Sequence, residues 1–323
     1  MKKLAVNALF LSTIAAVAIA ATVGAATLRT RAVHSAYPPE GRLIDIDGRA
    51  MLGTVAGPQD APHVVLIHGS SGSTRDMSFA LAPALAQSFR VFSIDRPGLG
   101  WSQARPDGHL LSDQADAIRR TAGAMGARAP IVLGQSYGGA VSLAWALDAP
   151  GSLSALVQLS APSHEWDGGL STYYKALSHP LSGPVMAWLL NAWVPRAVVR
   201  REMASVFTPQ TMPEGYPDHF GPRMTLRHRS LRANAVQRAA LQSQIAGMDA
   251  RYGSLTLPIE ILHGTHDDTV PLAIHAEQLA RDAPNAHLTR LDGIGHMPHH
   301  VAVADVVAAV DRAALRAGLY SGF

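Results

Sequence analysis

Three side chains in this 323-residue chain have the types and order for nucleophilic catalysis: Ser136, Asp267 and His296. A serine hydroxyl is a weak nucleophile. It needs a base within hydrogen-bond reach, and the base needs a carboxylate to fix its tautomer. Ser136 lies in Ile131-Val132-Leu133-Gly134-Gln135-Ser136-Tyr137-Gly138-Gly139, a G-x-S-x-G sequence between an apolar strand and the helix-like run Ala140–Leu147. That context predicts a sharp strand–turn–helix elbow that lifts the hydroxyl above the sheet edge. Glycines flank the serine because side chains there would meet the adjoining strand and helix. The motif alone is common, and its weight comes from the flanking pattern and from partners elsewhere in the chain.

Those partners follow two later strands. Asp267 comes after the strand-like Pro258–Leu262, in Gly264-Thr265-His266-Asp267-Asp268. His296 comes after His287–Leu291, in Gly293-Ile294-Gly295-His296. Asp268 is the alternative acid. His263, His266, His299 and His300 cluster near these positions, and we read them as core or surface histidines, with no metal site expected.

The elements that must carry these residues read as alternating strands and helices. Leu43–Leu52 alternates around Asp47-Gly48, a hairpin signal. His63–Ile67, Arg90–Asp95, Ile131–Leu133 and Ala155–Leu159 read as buried strands, largely continuous apolar runs as expected of strands covered on both faces. Helices are expected over Asp76–Ala86, Leu111–Ala124 and Val301–Ala317. Alternation of this kind predicts a mainly parallel sheet wrapped by helices. From Ser160 to about Arg251 the rhythm breaks into amphipathic helical segments punctuated by Pro180, Pro184 and Pro195, a helical insertion. Its Tyr173, Tyr174, Met186, Trp188 and Trp193 either line a substrate pocket or form the insertion's own core.

The N-terminus is of another kind. Lys2-Lys3 precedes an uncharged run from Leu4 to Leu28, long enough to cross a bilayer. Residues 1–28 are therefore a membrane anchor or signal peptide, and 29–41, with Pro38-Pro39, a linker. We expect an uncleaved anchor over residues 4–28 with the bulk of the chain exported to the periplasmic side. The alternative is secretion after cleavage at Ala18-Ile19-Ala20 or Val23-Gly24-Ala25. The absence of cysteine excludes disulfides and thiolate chemistry, and a net charge of +3 with no basic block gives no sign of nucleic-acid binding.

Taken together, the order Ser136, Asp267, His296 and four blocks make the chain resemble the α/β-hydrolase superfamily over about residues 40–317. The blocks are His68-Gly69-Ser70-Ser71-Gly72, Asp95-Arg96-Pro97-Gly98-Leu99-Gly100-Trp101-Ser102, the elbow, and the Asp267 and His296 loops. The pattern looks most like proteobacterial members with an N-terminal membrane segment. The resemblance implies an eight-stranded, mainly parallel sheet, with a core of 42–160 and 252–317 and a helical lid at 161–251. It implies an oxyanion hole made by the backbone N–H groups of Tyr137 and Ser70, with Ser71 the second choice, and a structural role for His68 beneath that loop. The implied reaction is cleavage of a carboxylic ester, of a small or lipid-like substrate, through an acyl-enzyme and without a cofactor. C–C bond hydrolysis, lyase, aminopeptidase and cofactor-free haloperoxidase chemistry share the frame, and a non-catalytic binding module is the third reading. Dehalogenase and epoxide hydrolase chemistry is disfavoured, because resembling members carry Asp where this chain has Ser136. Gln135 stands at an elbow position that either tunes the pocket or packs.

Overall fold

The protein is described by a computed structural model over residues 2–320; Met1, the first residue of the expected anchor, lies outside it. Eight strands form one sheet in the order β1-β2-β4-β3-β5-β6-β7-β8. They are β1 (Arg42–Ile46), β2 (Arg49–Ala56), β3 (His63–Ile67), β4 (Arg90–Ile94), β5 (Ile131–Gln135), β6 (Ala155–Leu159), β7 (Ile259–Gly264) and β8 (Ala286–Leu291). β1 and β2 pair antiparallel around the expected Asp47-Gly48 turn, and β2 pairs antiparallel with β4. All pairings from β4 through β8 are parallel.

Side chains alternate across each strand, so each parallel strand feeds two cores. Val65, Ile67, Phe92, Ile94 and Val132 face one layer, which contains α4 (Leu111–Ala124) and α5 (Tyr137–Asp148). Val64, Leu66, Val91, Leu133 and Val157 face the other, which contains α2 (Thr74–Ser78), α3 (Leu81–Leu85) and α13 (Val303–Arg316). This two-sided burial is why the strands are apolar without interruption.

Between β6 and β7 the chain forms α6 (Thr172–Ser178), α7 (Ser182–Trp193), α8 (Arg196–Ser205), α9 (Tyr216–Phe220) and α10 (His228–Ile245). After β7 come α11 (Ala276–Asp282) and, after β8, the short α12 (Pro298–Val301). Tyr174 and Met186 pack against Leu177, Ala187, Leu231 and Ala235, so these two belong to the insertion's own core. Trp188 stacks on His228, while Tyr173 and Trp193 are exposed.

Three expectations need correction. Helix α1 runs Lys2–Ala36, so it covers most of the stretch read as a linker, and only 37–41 is non-helical before β1. The helix ends where Pro38 and Pro39 forbid its continuation, not where the uncharged run ends. The helix expected over Asp76–Ala86 is split into α2 and α3. Pro83 supplies no N–H and its ring would meet the carbonyl four residues back, at Phe79. The closing helix starts at Val303 rather than Val301, because Ala302 has φ −134° and ψ 43°, outside the helical region.

Candidate active site

Ser136 sits at the β5–α5 turn with φ 51° and ψ −124°, a strained conformation for a residue with a side chain. Close packing holds it there. A Cβ on Gly134 would strike the Gly138 carbonyl, and one on Gly138 would strike the Ile67 carbonyl of β3. The turn thus folds against its own helix and the neighbouring strand, and only glycine fits at both positions.

Ser136 Oγ lies 3.0 Å from His296 Nε2, and His296 Nδ1 lies 2.8 Å from Asp267 Oδ2. The other carboxylate oxygen, Oδ1, accepts from the backbone N–H of Thr269 and of Val270, each at 2.9 Å. Burial raises the Asp267 pKa, but hydrogen bonds from His263 and His296 outweigh it and leave the group well below the usual carboxylate range. Asp267 therefore stays ionised. Asp268 is exposed. His263 Nε2 donates to Val270 O at 2.7 Å and lies 3.3 Å from Asp267 Oδ2, so it braces the loop.

The loop after β3 faces Ser136. His68 Nδ1 donates to Gly69 O at 2.9 Å, and its Nε2 accepts the Arg96 N–H at 3.0 Å. Burial, with Arg96 beside it, pulls its pKa down to about 3, so this imidazole is neutral. The Ser71 N–H donates to Asn234 Oδ1 at 2.8 Å, and Asn234 Nδ2 donates back to Ser71 Oγ at 3.0 Å. The Ser70 N–H makes no such bond among the described residues, and Tyr137 opens α5, where an N–H has no intrahelical acceptor.

Several residues that sequence reasoning missed support this loop. Arg96 is fully buried and meets carbonyl and amide oxygens only. Its Nε donates to His68 O at 3.0 Å, and its Nη2 donates to Gly69 O at 2.9 Å. Nη1 donates to Gln114 Oε1 and Gln237 Oε1, each at 2.9 Å. The guanidinium carbon lies 4.2 Å from the centre of the Tyr137 ring. Burial draws its pKa down to about 10, so the charge persists at neutral pH. Arg96 lies in the Asp95–Ser102 block, but its partners on α4 and α10 are remote in sequence. Gln135 Nε2 donates to His296 O at 3.2 Å, so Gln135 fastens the histidine loop to the elbow. Gln210 of the insertion does the same from above. Its Nε2 donates to Gly293 O at 2.7 Å and its Oε1 accepts the Gly295 N–H at 2.9 Å.

The other histidines divide. His266 is exposed. Asp76, His299 and His300 bring three ligand-type atoms within 4.8 Å of one another. Asp76 Oδ1 accepts from Tyr216 OH at 2.7 Å and from His300 Nε2 at 2.9 Å, while His299 Nε2 lies 3.5 Å from Asp76 Oδ2 and neither ring nitrogen of His299 has a hydrogen-bond partner among the described residues.

A serine on the β5–α5 elbow, a histidine after β8 and an acid after β7, joined by hydrogen bonds on this strand order, are the arrangement of the α/β-hydrolase fold. The alpha/beta hydrolase fold family matches residues 62–179. An uncharacterized protein of Mycobacterium tuberculosis is 26% identical over 314 residues, covering 90% of this chain and 89% of that protein. Among solved structures, the enol-lactonase from Burkholderia xenovorans superposes with a TM-score of 0.69 at 17% identity, covering 84% of this chain and 99% of that one. An esterase from Rhodococcus superposes with a TM-score of 0.61 at 23% identity, covering 83% and 97%. The chain has the α/β-hydrolase fold, and residues 62–179 match that family; these likenesses support a hydrolase enzyme.

Proposed function

We propose that the protein is a serine hydrolase that cleaves carboxylic esters or related acyl bonds through an acyl-enzyme. The observation that carries this is the unbroken chain from Ser136 Oγ through His296 to Asp267, at 3.0 and 2.8 Å. Ser136 Oγ attacks the acyl carbon while His296 Nε2 takes its proton. The tetrahedral oxyanion is met by the N–H groups of Ser70 and Tyr137. The carbonyl re-forms, the C–O bond to the leaving alcohol breaks, and His296 returns the proton to that alcohol. Water then attacks the acyl-enzyme with His296 again as base, releasing the acid and restoring Ser136. Asp267 holds the imidazole tautomer and stabilises the imidazolium. Ser70 is favoured over Ser71 because the Ser71 N–H is bound to Asn234. Each donor contributes on the order of 3 kcal/mol to the transition state.

Residues 161–251 act as the lid over this site, with Gln210 and Asn234 tying it to the histidine and oxyanion loops. Residues 4–28 anchor the chain in a membrane with the catalytic body on the exported side. The reading is supported by helix α1, which is long and apolar enough to cross a bilayer. Its side chains from Val6 to Ala21 are exposed. A fluorophosphonate probe should label the wild type covalently and leave Ser136→Ala unlabelled. Turnover of a panel of p-nitrophenyl esters should vanish in the same variant. Absence of labelling, or labelling that persists without Ser136, would overturn the proposal.

A further inference from the structure

We propose that the cavity between the end of α1 and the insertion is a binding site for the phosphate-bearing headgroup of an anionic phospholipid. The cavity has a volume of about 480 Å³ and lies where the last turns of α1 meet α8, α9 and the segment following α9. Arg29, Arg196, Arg200 and Arg223 line it, with Asp218 as the single acidic residue of the lining. Among the described residues, none of these four guanidinium groups pairs with a carboxylate. Arg75, Arg105, Arg120, Arg290, Arg312 and Arg316 all do. Arg29 and Arg223 make only long contacts, to the carbonyls of Asn191 at 3.4 Å and Val194 at 3.5 Å. Burial, with Arg29 and Arg196 nearby, holds Arg223 below its ordinary range. Like charges drawn together without a counterion destabilise the fold unless an anion bridges them. Arginine forks match phosphate oxygens in pairs.

The position selects a lipid over a free anion. A helix rises about 1.5 Å per residue, so Lys3 to Thr22 covers about 30 Å, the thickness of a hydrocarbon core. At that boundary Trp193 Nε1 donates to Thr22 Oγ1 at 3.1 Å, and tryptophan favours the membrane interface. Arg29 follows about 10 Å further along the axis, at headgroup depth. Beside α1, Leu181, which precedes helix α7, and Val185, Leu189 and Trp193 on that helix are exposed at four-residue spacing, an apolar stripe suited to the acyl boundary. The cavity wall between the arginines is apolar and includes Val33 and Val199, where glycerol and the first acyl carbons would lie.

The inference rests on α1 being inserted in a membrane, and it is independent of which bond Ser136 attacks. The test uses the full chain in mild detergent with equimolar phosphatidylglycerol and phosphatidylcholine of identical acyl chains, read by native mass spectrometry. The lining arginines near a membrane surface favour an anionic lipid, so phosphatidylglycerol should be retained about tenfold over phosphatidylcholine or more. Arg196→Ala/Arg200→Ala should cut that ratio about threefold or more, with Arg29 and Arg223 left in place, whereas Arg119→Ala/Arg251→Ala, remote surface positions, should leave it unchanged. Arg196 and Arg200 are exposed, so the melting curve and ester turnover of the double variant should match the wild type. A wild-type ratio near one, or a ratio untouched in the double variant, overturns the site. Full displacement of phosphatidylglycerol by excess inorganic phosphate would show that the arginines read a free anion and would overturn the lipid assignment. Release of the chain from membranes by alkaline carbonate without detergent would overturn the anchor and the site together. None of these outcomes bears on fluorophosphonate labelling of Ser136.

Discussion

Asp267 and Asp268 are adjacent in sequence and lie in opposite environments. The first is buried and bonded on both oxygens, and the second is exposed. Asp267→Asn should lower kcat for a p-nitrophenyl ester about 10⁴-fold, because an amide favours the wrong imidazole tautomer. Asp268→Asn should leave kcat within a factor of about two, since a solvated carboxylate contributes little. Equal losses from the two substitutions would reverse the assignment. Arg96 makes a subtler prediction. Its Nη2 binds the Gly69 carbonyl, and the Ser70 N–H belongs to that same peptide unit. A cation on the carbonyl polarises the amide and makes the N–H a stronger donor to a developing oxyanion. Arg96 is thus a positioning residue. Arg96→Lys should lower kcat about tenfold or more with KM nearly constant, the signature of an interaction that strengthens in the transition state. A change in KM alone would mean that Arg96 only shapes the pocket.

At the scale of elements, the elbow is held by close approach of backbone to backbone. Gly138→Ala would push a methyl group into the carbonyl of Ile67 at the end of β3. The expected cost is about 1–3 kcal/mol of stability, with activity falling further because Ser136 is displaced. Urea unfolding beside the kinetics separates the two effects, and a fully active, fully stable variant would contradict the packing described. The elements themselves were legible in the sequence to different degrees. β3, β4, β5 and β6 were read from uninterrupted apolar runs, and the β1–β2 hairpin from its Asp-Gly turn, because those signals are local. The split between α2 and α3 and the continuation of α1 to Ala36 were not. Both turn on where proline stops a helix, and an apolar pattern runs through such a stop unmarked.

At the scale of the molecule, the helix long and apolar enough to cross a membrane is also part of the fold. Ala26 and Val33 of α1 are buried, the His34 ring lies 4.6 Å from Trp101, and Trp101 Nε1 donates to Tyr37 O at 3.1 Å. Removing residues 2–21 should release the protein from membranes with its melting temperature nearly intact. Removing 2–36 should lower it by about 5 °C or more, since a packed interface is lost. Equal melting temperatures would mean that the docked half of α1 adds nothing.

Stability should also fall on mild acidification. Burial holds His68 at about 3 and His275 and His299 at about 4, against an ordinary value of 6.5. As pH drops below 6.5 the unfolded chain binds protons that the native chain does not, so these groups weaken the fold down to about pH 4. Asp95 acts in the opposite sense. Burial raises it to about 6, so between its unfolded value of 3.8 and about 6 the native state holds the extra proton. The histidines outnumber this carboxyl, and burial lowers His34, His63, His219 and His228 in the same sense, so the unfolded chain binds the net excess of protons and stability falls as the pH falls. Urea midpoints measured between pH 7 and 5 should fall steeply, and a flat profile would contradict neutral burial of these imidazoles.

The sequence by itself determined the candidate nucleophile, base and acid and their order, because an elbow, a strand end and a glycine-bounded loop are each written within a few residues. It also determined that the sheet is covered on both faces, since uninterrupted apolar strands leave no face for water. Which loop N–H is free was settled only by the tertiary structure. Asn234, more than a hundred residues from Ser71, occupies one donor and leaves Ser70 open. The same holds for Gln135, which reaches the carbonyl of His296, and for Arg96, whose charge is set beneath the loop by partners on α4 and α10. The gathering of Arg29, Arg196, Arg200 and Arg223 around one cavity is the clearest case. Composition showed scattered arginines with no block among them. Only packing of α1 against the insertion brings their charges close enough to repel one another and to favour an anion.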